Sequence, residues 1–237
     1  MGKKIIALSA SLILLSALTV FGTISHAQSE SANVKVEKVS NSSVAHGLKE
    51  RVEVSWPWYV SRASGIVAAV TLVILMLSGI GLITGHTFSF LEPITAWASH
   101  RALGIAFLVS VLLHTGALFF DNFVPFSLVD LLVPFASDFK PTVLLGLSVG
   151  SLYVALGVIS LYIVIAVVLT SLLWVEKKPT IWKLTHLLSY LAMIFVFVHG
   201  LYLGTDFSSG LGRVLWIILA VIVLGASISR LWRAKTV

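Results

Sequence analysis

The sequence contains no cysteine. That absence excludes disulfides, thiolate zinc centres, cysteine-ligated iron–sulfur clusters and the Cys-x-x-Cys-His attachment of a c-type haem, and it leaves histidine, carboxylate and backbone groups as metal ligands. Charge is scarce as well. Asp, Glu, Lys and Arg make up 11% of the 237 residues and apolar residues 58%, where soluble domains carry about 25% charge. So little charge excludes an ordinary soluble domain and places the chain in a bilayer, where each crossing takes about 20 apolar residues. Little sequence remains for a soluble catalytic domain. The formal charge of +6 would suggest nucleic acid as a partner of a soluble protein. In a membrane protein it reports topology instead, so membrane lipid is expected as a partner and nucleic acid is not.

Residues 1–27 combine Lys3 and Lys4 with an apolar run from Ile5 to Ile24 and the small-x-small tripeptide Ser25-His26-Ala27. This is the pattern of a secretory signal peptide, although the run is long enough for an uncleaved signal anchor. Both readings put residue 28 outside the cytoplasm. Residues 28–57, rich in Ser, Lys, Glu and Asn without apolar periodicity, read as an extracytoplasmic linker. Five apolar segments follow at about 58–85, 94–120, 147–174, 181–203 and 211–232, each long enough to span as a helix. Trp56, Trp58, Trp97, Trp174, Trp182 and Trp232 mark membrane interfaces. The stretch from Asn122 to Thr142 is apolar but broken by Pro125, Pro134 and Pro141, and it reads as a half-buried or re-entrant cap. The expected fold is thus an all-α membrane bundle of five transmembrane helices over residues 58–233, preceded by a signal peptide or anchor helix.

Charge asymmetry orients that bundle. Arg101, Lys177, Lys178, Lys183, Arg230, Arg233 and Lys235 gather on one side, whereas the opposite loops carry Asp121, Asp130, Asp138 and Asp206. By the positive-inside rule the basic side and the C-terminus are cytoplasmic, in a multi-pass protein of the cell membrane.

Four of the seven histidines lie in two of these segments: His100 and His114 in the second, His186 and His199 in the fourth. Ionisable groups inside a membrane are costly and normally mark function. With one helix intervening, the two segments run in the same direction, so His100 pairs by depth with His186 near the cytoplasmic side, and His114 with His199 toward the outer side. At 1.5 Å per residue the two steps are about 21 and 20 Å, giving two stacked levels. Fourteen residues return to within about 40° on an ideal helix, but thirteen fall about 140° away. Two neutral imidazoles per level suit an iron porphyrin. Gly104, Gly116, Gly200 and Gly204, with Ala102 and Ala192, would let a flat macrocycle approach the backbone; simple helix packing is their other use. A zinc or copper site competes, though two histidines per level fall short of the usual ligand count. A transporter or channel using the histidines as proton or metal relays belongs to a different class altogether. His86 has no partner at matching depth and reads as interfacial.

These residues resemble the ferric reductase-like transmembrane domain, shared by ferric reductases, the membrane part of NADPH oxidases and the haem subunit of the bacterial periplasmic methionine sulfoxide reductase system. The resemblance runs from about Ser61 to Asp206. It is carried by Ser61-Arg62-Ala63-Ser64-Gly65, His100-Arg101-x-Leu-Gly with its thirteen-residue gap to His114, Val133-Pro134-Phe135, Thr170-Ser171, Trp182-x-x-x-His186, His199-Gly200 and Gly204-Thr205-Asp206. The unequal gaps of thirteen and twelve residues are typical of the family.

The resemblance implies two b-type haems, one held by His100 and His186 and the other by His114 and His199, in a membrane electron-transfer subunit with an extracytoplasmic acceptor. It places Arg62 near the outer haem, with interfacial snorkelling as the ordinary alternative. Haem propionates need cationic or donor partners, for which Arg101, Trp182 and Lys183 are the inner candidates. No catalytic residue is assigned. Ferric reductases and NADPH oxidases continue into a flavin and nicotinamide domain, but here about five residues follow the last apolar segment and no Gly-x-Gly-x-x-Gly occurs. The expectation is an oxidoreductase component without a flavin or NAD(P) site, supplied by a separate flavoprotein, reductase or quinol. A quinol-oxidising cytochrome b anchor is the alternative within redox chemistry.

Overall fold

Lipid offers no hydrogen bonds, so a spanning chain must satisfy its peptide groups internally, and helix is the economical solution. The computed structural model describes residues 41–84, 93–144, 147–148 and 150–233. Its helices are α1 (Asn41–Thr84), α2 (Pro93–Phe119), the short α3 (Leu128–Leu132), α4 (Leu152–Leu173), α5 (Pro179–Leu203) and α6 (Gly210–Arg233). Five of them contain stretches long and apolar enough to cross a membrane: Val54–Thr84, Ile94–Phe119, Leu152–Leu173, Pro179–Leu203 and Gly210–Arg230. The protein is an all-α, multi-pass membrane bundle. The signal or anchor segment at 1–27, the start of the linker and His86 lie outside the described residues.

Two boundaries differ from the sequence reading. Helix α1 begins at Asn41, inside the segment read as linker, and runs through Pro57 without ending. Helix α4 begins at Leu152 rather than 147, because Leu147–Ser148 (β2) pairs antiparallel with Val143–Leu144 (β1), Val143 facing Ser148. Gly150 then turns the chain at φ +69°, a conformation that suits glycine. Ser151 caps α4 by accepting a hydrogen bond from the Val154 amide.

The proline-broken stretch behaves as a cap that folds back on the bundle. A reciprocal capping box between Ser127 and Asp130 starts α3, Leu131 is buried, and the Tyr162 hydroxyl donates to the Leu132 carbonyl at 2.5 Å. Tyr162 lies ten residues along α4, about 15 Å from its start, so the cap lies beside the helix instead of projecting from it.

The spanning helices close into a ring: α1 packs on α2, α2 on α4, α4 on α5, α5 on α6, and α6 on α1. The contact is most extensive within the pairs α1/α2 and α4/α5. At the centre, Ala69, Leu72, Met76, Phe107, Val164, Ala192, Met193, Phe197, Trp216 and Val223 form a buried core. Phe107 stands midway between His100 and His114, and Met193 about midway between His186 and His199. The apolar core therefore occupies the middle depth and leaves the histidines to either side of it.

Candidate cofactor site

Helices α2 and α5 carry the four histidines, yet among the described residues the close backbone contacts of α2 are with α1, α3 and α4, and those of α5 with α4 and α6. The two histidine helices face each other across a gap that their imidazoles bridge. The ring centres of His100 and His186 are 6.3 Å apart, and those of His114 and His199 are 6.4 Å apart. Thirteen residues on an ideal helix would turn His199 far from His186, but α5 directs both rings toward α2.

The neighbouring helices fix how each ring is presented. His114 Nδ1 lies 2.8 Å from the Ser61 carbonyl and 3.2 Å from the Ser61 hydroxyl, both on α1. His199 Nδ1 lies 2.8 Å from the Tyr153 carbonyl on α4. At the other level, His100 Nδ1 meets the Ser78 hydroxyl at 2.9 Å and His186 Nδ1 meets the Ser171 hydroxyl at 3.3 Å. A carbonyl can only accept, so His114 and His199 must carry the proton on Nδ1. With the Ser78 and Ser171 hydroxyls giving their protons to the Leu75 and Val167 carbonyls, at 3.0 and 2.7 Å, His100 and His186 in turn donate from Nδ1. In that arrangement all four imidazoles keep a bare Nε2 lone pair, the form in which a histidine ligates a metal while its second nitrogen holds the ring in place.

Glycines on the supporting helices make this packing possible. A Cβ at Gly157 would lie 2.7 Å from His199 Cε1 and Nδ1, one at Gly65 3.0 Å from His114 Nδ1, and one at Gly79 3.1 Å from His100 Cε1. Helix α1 is therefore the backing wall for the histidines of α2, and α4 for those of α5.

The spacing allows a test of fit. A metal–imidazole bond of about 2 Å, plus about 1.1 Å from nitrogen to ring centre, would let two imidazoles share one ion with ring centres up to roughly 6.2 Å apart. Both observed pairs agree with that separation. Among the described residues no group of three or more His, Cys, Asp or Glu side chains converges on one point. Each level offers two ligands, which suits a metal that arrives with its other ligands, as iron in a porphyrin does.

The remaining sequence candidates fall in varied places. Arg62 is committed to Asp206: its Nε donates to Oδ2 at 2.7 Å and its second guanidinium nitrogen donates to Oδ1, while the guanidinium lies 4.9 Å from the centre of the Trp58 ring. Trp182 packs its indole 5.5 Å from His186 and donates Nε1–H to the Ser171 hydroxyl at 3.1 Å. Arg101 is exposed over Trp97, and Lys183 is exposed. Arg230, read from sequence only as a topology signal, is half-buried and bonds the hydroxyl of Tyr190, one turn from His186 on the side toward His199.

The glycine expectation needs correction at Gly200 and Gly204. Gly104, one turn from His100 on the same face, and Gly116, exposed two residues from His114, both look onto open space. Gly200 makes room for the Trp216 indole, which a Cβ there would meet at 3.2 Å, and Gly204 packs near Phe207. Among the described residues, the glycines that touch the histidines are Gly65, Gly79 and Gly157. Their signal was faint in sequence, since each lies on a different helix from its histidine, although Ser61, Gly65 and Ser171 stood within the segments that carried the resemblance.

The model of the family described as ferric reductase like transmembrane component matches residues 64–197, a range that contains His100, His114 and His186 and ends two residues before His199. No curated protein and no solved structure matches the chain. With more than half of its 237 residues covered by that match and four histidines paired across a five-helix ring, the chain belongs to the ferric reductase-like transmembrane family.

Proposed function

We propose that the protein binds two b-type haems non-covalently, His100 with His186 at one level and His114 with His199 at the other, and serves as a membrane electron-transfer subunit. The observation that carries this reading is the pair of imidazole couples 6.3 and 6.4 Å apart, every Nδ1 tied to a neighbouring helix. When bound, the haems supply one-electron iron chemistry at two depths of the membrane. The chain's own part is to hold each imidazole in one tautomer and one orientation, and to keep water from the middle depth with the apolar core around Phe107 and Met193. Lys177, Lys178 and Lys183 precede His186, and Arg230 lies near the end of α6 on that same side of the bundle, which supports a cytoplasmic His100/His186 level and an extracytoplasmic His114/His199 level. The family supports electron supply by a separate donor, a flavoprotein, reductase or quinol, and delivery to an extracytoplasmic acceptor.

Purified protein should give a reduced-minus-oxidised spectrum of bis-imidazole haem with about two haems per chain. His114→Ala or His199→Ala should leave about one. A folded, colourless preparation refutes the reading, and loss of both haems from either variant refutes two independent levels.

A further inference from the structure

The two levels differ in what their histidines donate to. His114 and His199 each donate to a peptide carbonyl at 2.8 Å, a strong acceptor. His100 donates to Ser78, whose hydroxyl accepts that one bond at 2.9 Å while giving its proton to Leu75. Ser171 is in a different position. Its hydroxyl gives its proton to the Val167 carbonyl at 2.7 Å, accepts Trp182 Nε1–H at 3.1 Å, and accepts His186 Nδ1–H at 3.3 Å. A hydroxyl has one donor and two acceptor sites, so Ser171 is saturated, and its two incoming bonds draw on the same oxygen. His186 accordingly has the longest Nδ1 bond of the four histidines.

We propose that Trp182 and Ser171 are positioning residues that tune the His100/His186 site, with Trp182 competing with His186 for the Ser171 oxygen and so raising the reduction potential there. This rests on the haem reading above. A stronger Nδ1–H bond makes an imidazole more basic, and a more basic ligand stabilises oxidised iron and lowers the potential. Trp182 weakens the His186 bond by occupying one lone pair of its acceptor. Its indole N–H is spent on this contact, which gives Trp182 a role other than holding a propionate.

The two residues should act in opposite directions. In holoprotein carrying His114→Ala, so that only the His100/His186 haem remains, Trp182→Phe frees the Ser171 lone pair and should shift the midpoint downward in an equilibrium redox titration. Ser171→Ala removes the acceptor and should shift it upward. The double variant should titrate like Ser171→Ala alone, because the effect of Trp182 runs through that oxygen, and Ser171→Thr, which keeps the hydroxyl, should stay near the parent. Shifts of the same sign, simple additivity, or no movement for Trp182→Phe overturns the inference. Should Ser171→Ala lose haem, Trp182→Phe and Ser171→Thr still decide it. Haem content is measured on every sample: absence of haem from the unsubstituted chain sinks the haem reading itself, whereas retained haem with unmoved potentials sinks only the tuning role.

Discussion

Substituting Gly157 by alanine tests whether α4 holds His199 in place. The new Cβ would stand 2.7 Å from His199 Cε1 and Nδ1, where carbon contacts normally settle at about 3.5 Å or more. The ring must therefore retreat by roughly 0.8 Å, but its Nδ1–H is fixed at 2.8 Å to the Tyr153 carbonyl on the same helix face. That movement takes the bond past the normal limit of about 3.2 Å. Overpacking costs about 1–3 kcal/mol, and a buried donor left without its acceptor costs a similar amount. The gain of about 1 kcal/mol in helix propensity offsets part of this. A net penalty of roughly 1–5 kcal/mol corresponds to about a 5- to 4,000-fold loss of affinity for a group held by His199.

The neighbouring glycines give an internal scale. Gly65→Ala meets His114 Nδ1 at 3.0 Å and should cost less, and Gly79→Ala, with one contact at 3.1 Å and the next at 3.8 Å, should be nearly neutral once helix propensity is included. Haem content and thermal unfolding in detergent measure the series. The expected order of damage is Gly157, then Gly65, then Gly79, with the Gly157 effect confined to one of two haems. If Gly157→Ala binds two haems and unfolds within about 0.5 kcal/mol of the parent, the backing-wall account is wrong.

Gly104→Ala meets no atom of the chain within 4 Å, so the polypeptide alone should tolerate it with unchanged helicity; if a macrocycle lies beside His100, haem content at that level should nevertheless fall, and full retention argues that the space is not used. A double-mutant cycle on Arg62→Met and Asp206→Asn should give a coupling of about 1 kcal/mol that shrinks as salt is raised, since both side chains are more than a quarter exposed; no coupling would mean that the pair does not tie α1 to the end of α5. Tyr162→Phe removes the bond to the Leu132 carbonyl and should cost about 1 kcal/mol, with faster proteolysis between residues 122 and 142; unchanged cleavage would show that the cap is held by other contacts.

Long apolar runs and interrupting prolines made the spanning helices and the cap legible, because both depend on properties local to a segment. The histidine levels were legible for a related reason: depth along parallel helices is fixed by rise per residue, so His100 and His186, or His114 and His199, had to share a level if both segments span. Rotation was less legible. The ideal wheel set His199 about 140° from His186, but packing against Tyr153 and Ser171 on α4 brings both rings to α2. Gly200 and Gly204 were misread because proximity in sequence does not give the direction of a flank. Gly65, Gly79 and Gly157 were missed because their partners lie far away in the chain. Pairing of Arg62 with Asp206 spans 144 residues and involves a loop whose course no periodicity specifies.

The packing also explains why the paired histidines sit where backbone contact is least. Each hairpin, α1 with α2 and α4 with α5, provides its histidines with Nδ1 partners from within itself. His100 and His114 look to Ser78 and Ser61, and His186 and His199 to Ser171 and the Tyr153 carbonyl. Each half can thus set its own tautomers and ring directions, and what remains is the spacing between halves. That spacing depends on groups away from the imidazoles: the α2/α4 and α1/α6 contacts, the Arg62–Asp206 pair, and Trp216, which is wedged against Gly200 and donates to the Phe197 carbonyl at 3.0 Å. Orientation is thereby governed within hairpins and distance between them. A substitution at Ser61 or Gly157 should disturb one ligand, whereas one at Trp216 should alter the gap that both levels share.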